Sequence, residues 1–311
     1  MNFSLVSTTI IELGIIMFLG FFVAKTGYIS HKFKDALSKL IVNLILPCLI
    51  ITSISSKEYN SELLVELGID LLISLFCIIT LYITGVITAK IFRIPEPTAT
   101  VHKLLSVLGN AIFIGYPVIV AMYGEEGFFW VIPYWLLNDT FLWTVGVFMF
   151  SKKEKNTAKR LKKLINPNTI AFIIAIVMFI YGVKLPNILH SALTDIGSLT
   201  VPLSMIFIGM ALSTVELKKI LTKWWILILL PLKLVVMPVA FIFLFRYLPV
   251  RDIILGVIII ETALPSQTIL SIVAKEYNSD YEYAASSLFI TTLLSLVTLP
   301  YICSLIEKYL H

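Results

Sequence analysis

The chain has 311 residues, of which 59% are apolar and 14% charged, with a mean hydropathy of +0.96 and a formal net charge of +5. A soluble globular chain is far less apolar than this, so the composition excludes one and defines a polytopic membrane protein. Enzymatic chemistry finds little footing: Cys48, Cys77 and Cys303 stand singly in apolar runs, the four His are dispersed, and no GxSxG, HExxH or P-loop motif occurs.

Runs of about 20 mostly apolar residues, the length a bilayer core demands of a helix, recur ten times. They span 6–26, 35–53, 66–90, 102–123, 128–150, 168–183, 193–213, 222–245, 252–274 and 281–306, leaving no room for a soluble domain. The first carries Glu12, lacks a basic leader and has no small-residue cleavage site before Lys25, so it reads as a retained helix. The second reads LILP to Pro47, with Asn43 four residues earlier, and the third carries Asp70 close to its expected outer end. The fourth contains GNAIFIGYPVIVAMYG, where Asn110, Gly115 and Pro117 stand in an otherwise apolar run, and the fifth contains the pair Asn138-Asp139. In the second half, the seventh reads LTVP to Pro202 with Ser198 four residues earlier, the eighth carries Lys233, and the ninth carries Glu261 and Pro265.

Basic residues near helix ends are retained in the cytoplasm, and here they are strongly asymmetric. One side collects eighteen Lys and Arg, seven of them between Lys152 and Lys163, while the other has Lys57, Lys184, Arg246, Arg251 and Lys308. Both termini are therefore expected outside and the basic 151–166 loop in the cytoplasm. The positive charge is a topology signal, and no nucleic-acid partner is expected.

That loop divides the chain into a first five-helix repeat, residues 1–150, the connection 151–167, and a second five-helix repeat, 168–311. Five helices per half force the halves into opposite orientations, so inverted repeats are expected. The corresponding fourth and ninth helices are each interrupted near mid-depth, at Gly115-Tyr116-Pro117 and at Pro265. Proline lacks an N–H, so Pro117, Pro265, Pro47 and Pro202 release the carbonyls of Phe113, Glu261, Asn43 and Ser198. In a membrane such groups persist where they line a wet cavity or coordinate something, and a matched pair of broken helices points to a transporter's binding site. Ordinary proline kinks are the expectation for Pro231, Pro238 and Pro300.

GNAIFIGYPVIVAMYG together with TALPSQTILSIVAKEY, from Thr262 to Tyr277, resembles the auxin efflux carrier family; NPNTIAFIIAIVMFIYGVKLP and VPLSMIFIGMALS agree. The resemblance covers both halves. It implies an all-α fold of ten transmembrane helices in two inverted repeats, related to bile-acid symporter and sodium/proton antiporter folds, with the fourth and ninth crossing at mid-membrane. It further implies a scaffold of helices one, two, six and seven, and a mobile bundle of three to five and eight to ten. The implied activity is transport of a small organic carboxylate, auxin-like or malate- or malonate-like, across the cell membrane, by a homodimer without cofactors. The implied substrate residues are Asn110, Gly115, Pro117 and Pro265, joined by Ser266 and Gln267 at the second break and by Asn43, Pro47, Pro202 and Ser204 in the second and seventh helices. The chain departs from plant members in its short central loop and in having Glu261 where they tend to carry Gln.

Ionisable residues at mid-membrane are expensive and mark function. Asp139, beside Asn138, with Lys233 and Glu261 are the candidates for coupling to a proton or sodium, with any sodium expected near Glu261. An Asp139–Lys233 salt bridge is expected, as structure or as coupling, while Glu12 and Asp70 read as interfacial. Two other readings stay open: a cation/proton antiporter, and a ligand-sensing membrane module without flux.

Overall fold

In a computed structural model, the chain is described over residues 3–29, 31–57, 60–150, 167–213 and 224–310. The basic 151–166 loop, and with it the charge cluster that sets the expected orientation, lies outside the described residues. Helix makes up 85% of the structure and no strand occurs among the described residues, so the protein is all-α. Six helices are long and apolar enough to cross a membrane: Phe33–Ser55, Ser61–Ile91, Ala111–Phe150, Asn187–Leu212, Ile226–Phe245 and Tyr281–Tyr309. Helices also cover the remaining expected stretches, at Phe3–Lys25, Pro167–Ile180 and, in two pieces, Asp252–Ala263 and Thr268–Glu276.

Prolines shape the helices locally. Three π-helical turns, Ile41–Ile45, Ala111–Gly115 and Leu232–Val236, end two residues before Pro47, Pro117 and Pro238, each of which opens the next α-helical stretch. A wider turn takes up the ring and the missing donor without opening the helix. The fourth helix therefore does not open at Gly115-Tyr116-Pro117 as expected. It opens earlier, where Thr98–Val107 ends and Leu108 turns extended at φ −74°, ψ 110°. The fourth and fifth helices are joined at Gly124, whose φ of +66° favours glycine.

Packing is heaviest within two sets of helices, which also meet where Phe3–Lys25 packs on Tyr281–Tyr309 and on Tyr116–Phe141. Phe3–Lys25 lies along Thr200–Leu212, and Leu46–Ser55 packs on Pro167–Ile180 and Asn187–Ser198. Separately, Ser61–Ile91 packs on Thr98–Val107, Tyr116–Phe141 and Asp252–Ala263, while Tyr281–Tyr309 packs on Thr268–Glu276, Asp252–Ala263 and Met237–Phe245. The closest approach in the first group is backbone to backbone: a Cβ on Gly209 would overlap the Met17 carbonyl oxygen, and one on Gly20 the Ile206 carbonyl. Small residues that let backbones touch are how helices associate where lipid removes the hydrophobic drive. Leu72, Ile79, Ile173 and Val297 are among many large apolar side chains left exposed, as a lipid-facing surface requires.

Candidate functional site

The two helix interruptions meet. Gly109 and Ser266 form an isolated antiparallel bridge, in which Asn110 N donates to Pro265 O at 2.9 Å and Gln267 N donates to Leu108 O at 3.2 Å. Backbone groups that a broken helix leaves orphaned are thus paired with the other break, as the apolar surroundings demand. Neighbouring side chains complete the pairing. Asn138 Nδ2 donates to Gly109 O at 3.2 Å, Ser266 N donates to Thr291 Oγ1 at 3.0 Å, and Asn110 Nδ2 donates to Thr268 Oγ1 at 3.3 Å. Asn110 O in turn accepts from Ile114 N and Gly115 N.

Lys233 is buried and donates to the carbonyls of Leu105 at 2.8 Å and Leu108 at 3.0 Å. It caps the C-terminal end of Thr98–Val107, where the helix dipole favours a cation. The expected Asp139–Lys233 salt bridge does not form, because Lys233 is held by these carbonyls and Asp139 Oδ1 accepts instead from Gln267 Nε2 at 3.3 Å. Glu261 lies two residues before Ala263, the end of its half-helix, 1% exposed, and neither carboxylate oxygen has a hydrogen-bond partner. Its Oε1 would be 2.9 Å from a Cβ placed on Gly115, so the absence of a side chain at 115 is what lets the carboxyl sit against the fourth helix.

Asn110, Gly115, Asn138, Glu261, Pro265, Ser266 and Gln267 are accordingly brought together around one junction, with Lys233 and Asp139 linked into it. Pro117 is buried in the first turn of the helix that follows the π turn. Pro47 and Pro202 are half-buried, Ser204 is buried with its hydroxyl unpaired, and Asn43 is exposed on its π turn. Sequence reasoning missed Thr268 and Thr291, which take the side-chain amide of Asn110 and the backbone N–H of Ser266. The i, i+4, i+8 spacing of Ser287, Thr291 and Ser295 carries that signal, as a buried hydroxyl stripe. Asp70 was expected at the membrane surface but is fully buried, with Ser74 Oγ donating to its Oδ1 at 2.9 Å.

Between the two packing groups lies a small cavity of about 20 Å³, lined by Leu13, Met17 and Met205 on one side and Ile114, Val118, Thr292, Ser295 and Leu299 on the other. No group of three or more His, Cys, Asp or Glu converges among the described residues to hold a metal ion.

Apolar helices of membrane-crossing length, with two interrupted helices joined at a buried junction of amides and an unpaired carboxyl, define a multi-pass membrane transporter rather than an enzyme. The chain belongs to the membrane transport protein family, whose model matches residues 5–303, in line with the resemblance to auxin efflux carriers. It is 28% identical over 293 residues to an uncharacterized transporter of Methanocaldococcus jannaschii, covering 92% of this chain and 94% of that one. A second uncharacterized transporter, from Methanothermobacter thermautotrophicus, is 24% identical over 298 residues, covering 94% and 95%.

Proposed function

We propose that this protein is a secondary transporter that carries a small organic carboxylate across the cytoplasmic membrane by alternating access, with movement coupled to a proton or sodium ion through Glu261. The observation that carries the reading is the bridge between Gly109 and Ser266 beside a buried carboxyl without partners. The half-helices that follow the paired breaks begin at Ala111 and Thr268, and such N-terminal ends favour an anion. Asn110, Ser266 and Gln267 supply the polar groups that would orient a carboxylate, and a charge on Glu261 responds to what occupies the junction. Asn138, Asp139 and Lys233 hold the backbone and amides that form it.

The heavier packing within each set of helices supports an elevator in which the third to fifth and eighth to tenth helices move as a bundle against the first, second, sixth and seventh. In this reading the halves 1–150 and 168–311 are inverted repeats whose broken helices cross at mid-membrane. The basic 151–166 loop is cytoplasmic, both termini face outward, and the protein works as a homodimer in the inner or plasma membrane. Pro47, Pro202, Asn43 and Ser204 line the scaffold side of the substrate path.

Solid-supported-membrane currents recorded across a series of organic acids, at varied pH and sodium, test the reading. Currents evoked by one or more carboxylates are expected. Currents that follow sodium or pH alone would replace it with a cation/proton antiporter, and ligand binding without flux would replace it with a sensing module.

A further inference from the structure

The first half of the fourth helix, Thr98–Val107, is ten residues long and stops at the break. A helix that short is marginal on its own, so its placement comes from what it touches. Apolar contacts hold it without direction, and hydrogen bonds are what fix its rotation and register. Those bonds converge on one residue. His102, 0% exposed, has Nδ1 2.8 Å from the Tyr283 hydroxyl and Nε2 2.9 Å from the Thr88 hydroxyl. The imidazole thus joins the fourth helix to the tenth, Tyr281–Tyr309, and to the third, Ser61–Ile91.

The neighbours of the ring reinforce the joint. One turn earlier, Thr98 Oγ1 donates to Asp280 Oδ2 at 2.6 Å, while Asp280 Oδ1 accepts from Tyr283 N at 3.0 Å, so Tyr283 is held at its backbone as well as its ring. On the other side Gly85, one turn before Thr88, lets the third helix close on the fourth. A Cβ at Gly85 would lie 2.7 Å from Ser106 Oγ and 3.1 Å from Lys103 Cα, and Ser106 Oγ itself donates to His102 O at 2.9 Å.

Counting hydrogens assigns the ring. Thr88 Oγ1 donates within its own helix, to the carbonyls of Thr84 at 2.9 Å and Gly85 at 3.2 Å, so it accepts from His102 Nε2. Nδ1 is then bare and accepts from the Tyr283 hydroxyl, and every hydrogen has an acceptor. In the other tautomer, or in an imidazolium, Nδ1 would carry a hydrogen and the Tyr283 hydroxyl would be left without an acceptor among the described residues, a costly loss in a buried place.

We propose that His102 is a positioning residue for the junction: a neutral imidazole, hydrogen on Nε2, that clamps the first half of the fourth helix between the third and tenth helices. What the clamp fixes is the far end of that half-helix. Six residues on, about 9 Å at 1.5 Å per residue, the Leu108 carbonyl accepts from Lys233 and from Gln267 N, and just beyond it Asn110 N donates to Pro265 O. A half-helix free to turn would carry these groups off their partners. The clamp stands on the geometry alone; its bearing on substrate rests on the function proposed above.

Ring-nitrogen NMR of lipid-reconstituted protein carrying His31→Gln, His190→Gln and His311→Gln, which leaves His102 as the sole histidine, tests the assignment at neutral pH. A hydrogen-bearing Nε2 beside a bare Nδ1 is expected; an imidazolium, or a hydrogen on Nδ1, overturns it. Hydrogen exchange in peptides spanning Asn110 and Gln267 tests the positioning, in the parent, Tyr283→Phe, Thr88→Val and Thr88→Ser. Exchange about tenfold faster is expected in Tyr283→Phe and Thr88→Val, for the loss of one buried hydrogen bond, and parent-like exchange in Thr88→Ser, which keeps the hydroxyl. Exchange at the junction unchanged in the first two, or accelerated equally in every helix of the bundle, overturns the positioning, and the NMR measurement decides the clamp even if a variant does not fold. Malonate and indole-3-acetate uptake into vesicles of the same proteins separates clamp from function. Tyr283→Phe is expected to raise KM for the acid carried, with Thr88→Ser at the parent value. An unmoved KM beside faster junction exchange overturns the link to substrate, and no uptake by the parent counts against the function itself; both leave the clamp standing.

Discussion

The ammonium of Lys233 donates to the carbonyl of Leu108 at 3.0 Å, and the same carbonyl accepts from Gln267 N at 3.2 Å. One oxygen thereby joins the eighth helix, the fourth-helix break and the ninth-helix break. Lys233→Met keeps the apolar stem and removes the donors, leaving the Leu105 carbonyl without its ammonium partner. A loss of about 1–3 kcal/mol is expected for an unsatisfied buried group. Thermal unfolding of the purified variant checks this, and an unchanged melting temperature would show that the cap is dispensable.

Glu261→Gln keeps shape and hydrogen-bonding capacity and removes only the ionisable group. The variant is expected to fold, to bind substrate and to equilibrate it, yet to stop accumulating it under an imposed proton or sodium gradient. Uptake by proteoliposomes containing parent or variant makes the comparison. Undiminished accumulation would transfer the coupling role to Asp139.

Phe113 and Phe207 lie across the boundary between the two packing groups, ring centroids 4.7 Å apart. If the bundle shears against the scaffold, a disulfide between Phe113→Cys and Phe207→Cys, in a background lacking Cys48, Cys77 and Cys303, should arrest flux under oxidation and release it on reduction. Full flux through the cross-linked protein would rule out movement at this boundary.

Gly209 is set against the Met17 carbonyl with no space for a side chain. Gly209→Leu must push the first helix away, and overpacking of this kind costs about 1–3 kcal/mol. The melting temperature should fall, whereas Gly14→Leu, where a Cβ meets nothing within 4 Å, should leave it nearly unchanged.

Glu96 precedes the fourth helix. Burial pushes its carboxyl upward, but the Thr100 hydroxyl at 2.8 Å, the Lys103 ammonium at 3.4 Å and the Thr100 N–H at 3.2 Å outweigh that and hold it below the usual carboxylate range. A depressed carboxyl stabilises the fold above its unfolded value and loses that contribution as pH falls through the folded one. Glu96→Gln should therefore lower stability slightly at pH 7, by no more than about 1 kcal/mol for so exposed a group, and parent and variant should converge in acid. Melting curves across pH test this; a gap that widens in acid contradicts it.

Some misreadings of single residues have identifiable causes. The sequence places Asp70 near the surface because the third helix reads as starting at Glu66. The helix starts at Ser61, capped by the Asn60 side chain accepting from Glu62 N at 3.0 Å, so Asp70 lies nine residues, about 14 Å, inside. Pro117 reads as the break because proline cannot donate, yet proline is at home in the first turn of a helix, and a π turn before it absorbs the misfit. The salt bridge expected between Asp139 and Lys233 ignores the competition of carbonyls freed at the helix end, which take the ammonium first.

By itself the sequence determined that the protein is helical, that it is a membrane protein, where the apolar stretches lie, and which ionisable residues and which two interrupted helices to watch. Those features are local: apolar run length and the missing N–H of proline act within a few residues of chain. Only the tertiary structure decided that Leu108 and Gly109 pair with Gln267 and Ser266 and that Lys233 caps a broken helix. Each depends on partners separated by more than a hundred residues, and hydrogen-bond competition between such partners leaves no period in the chain to read.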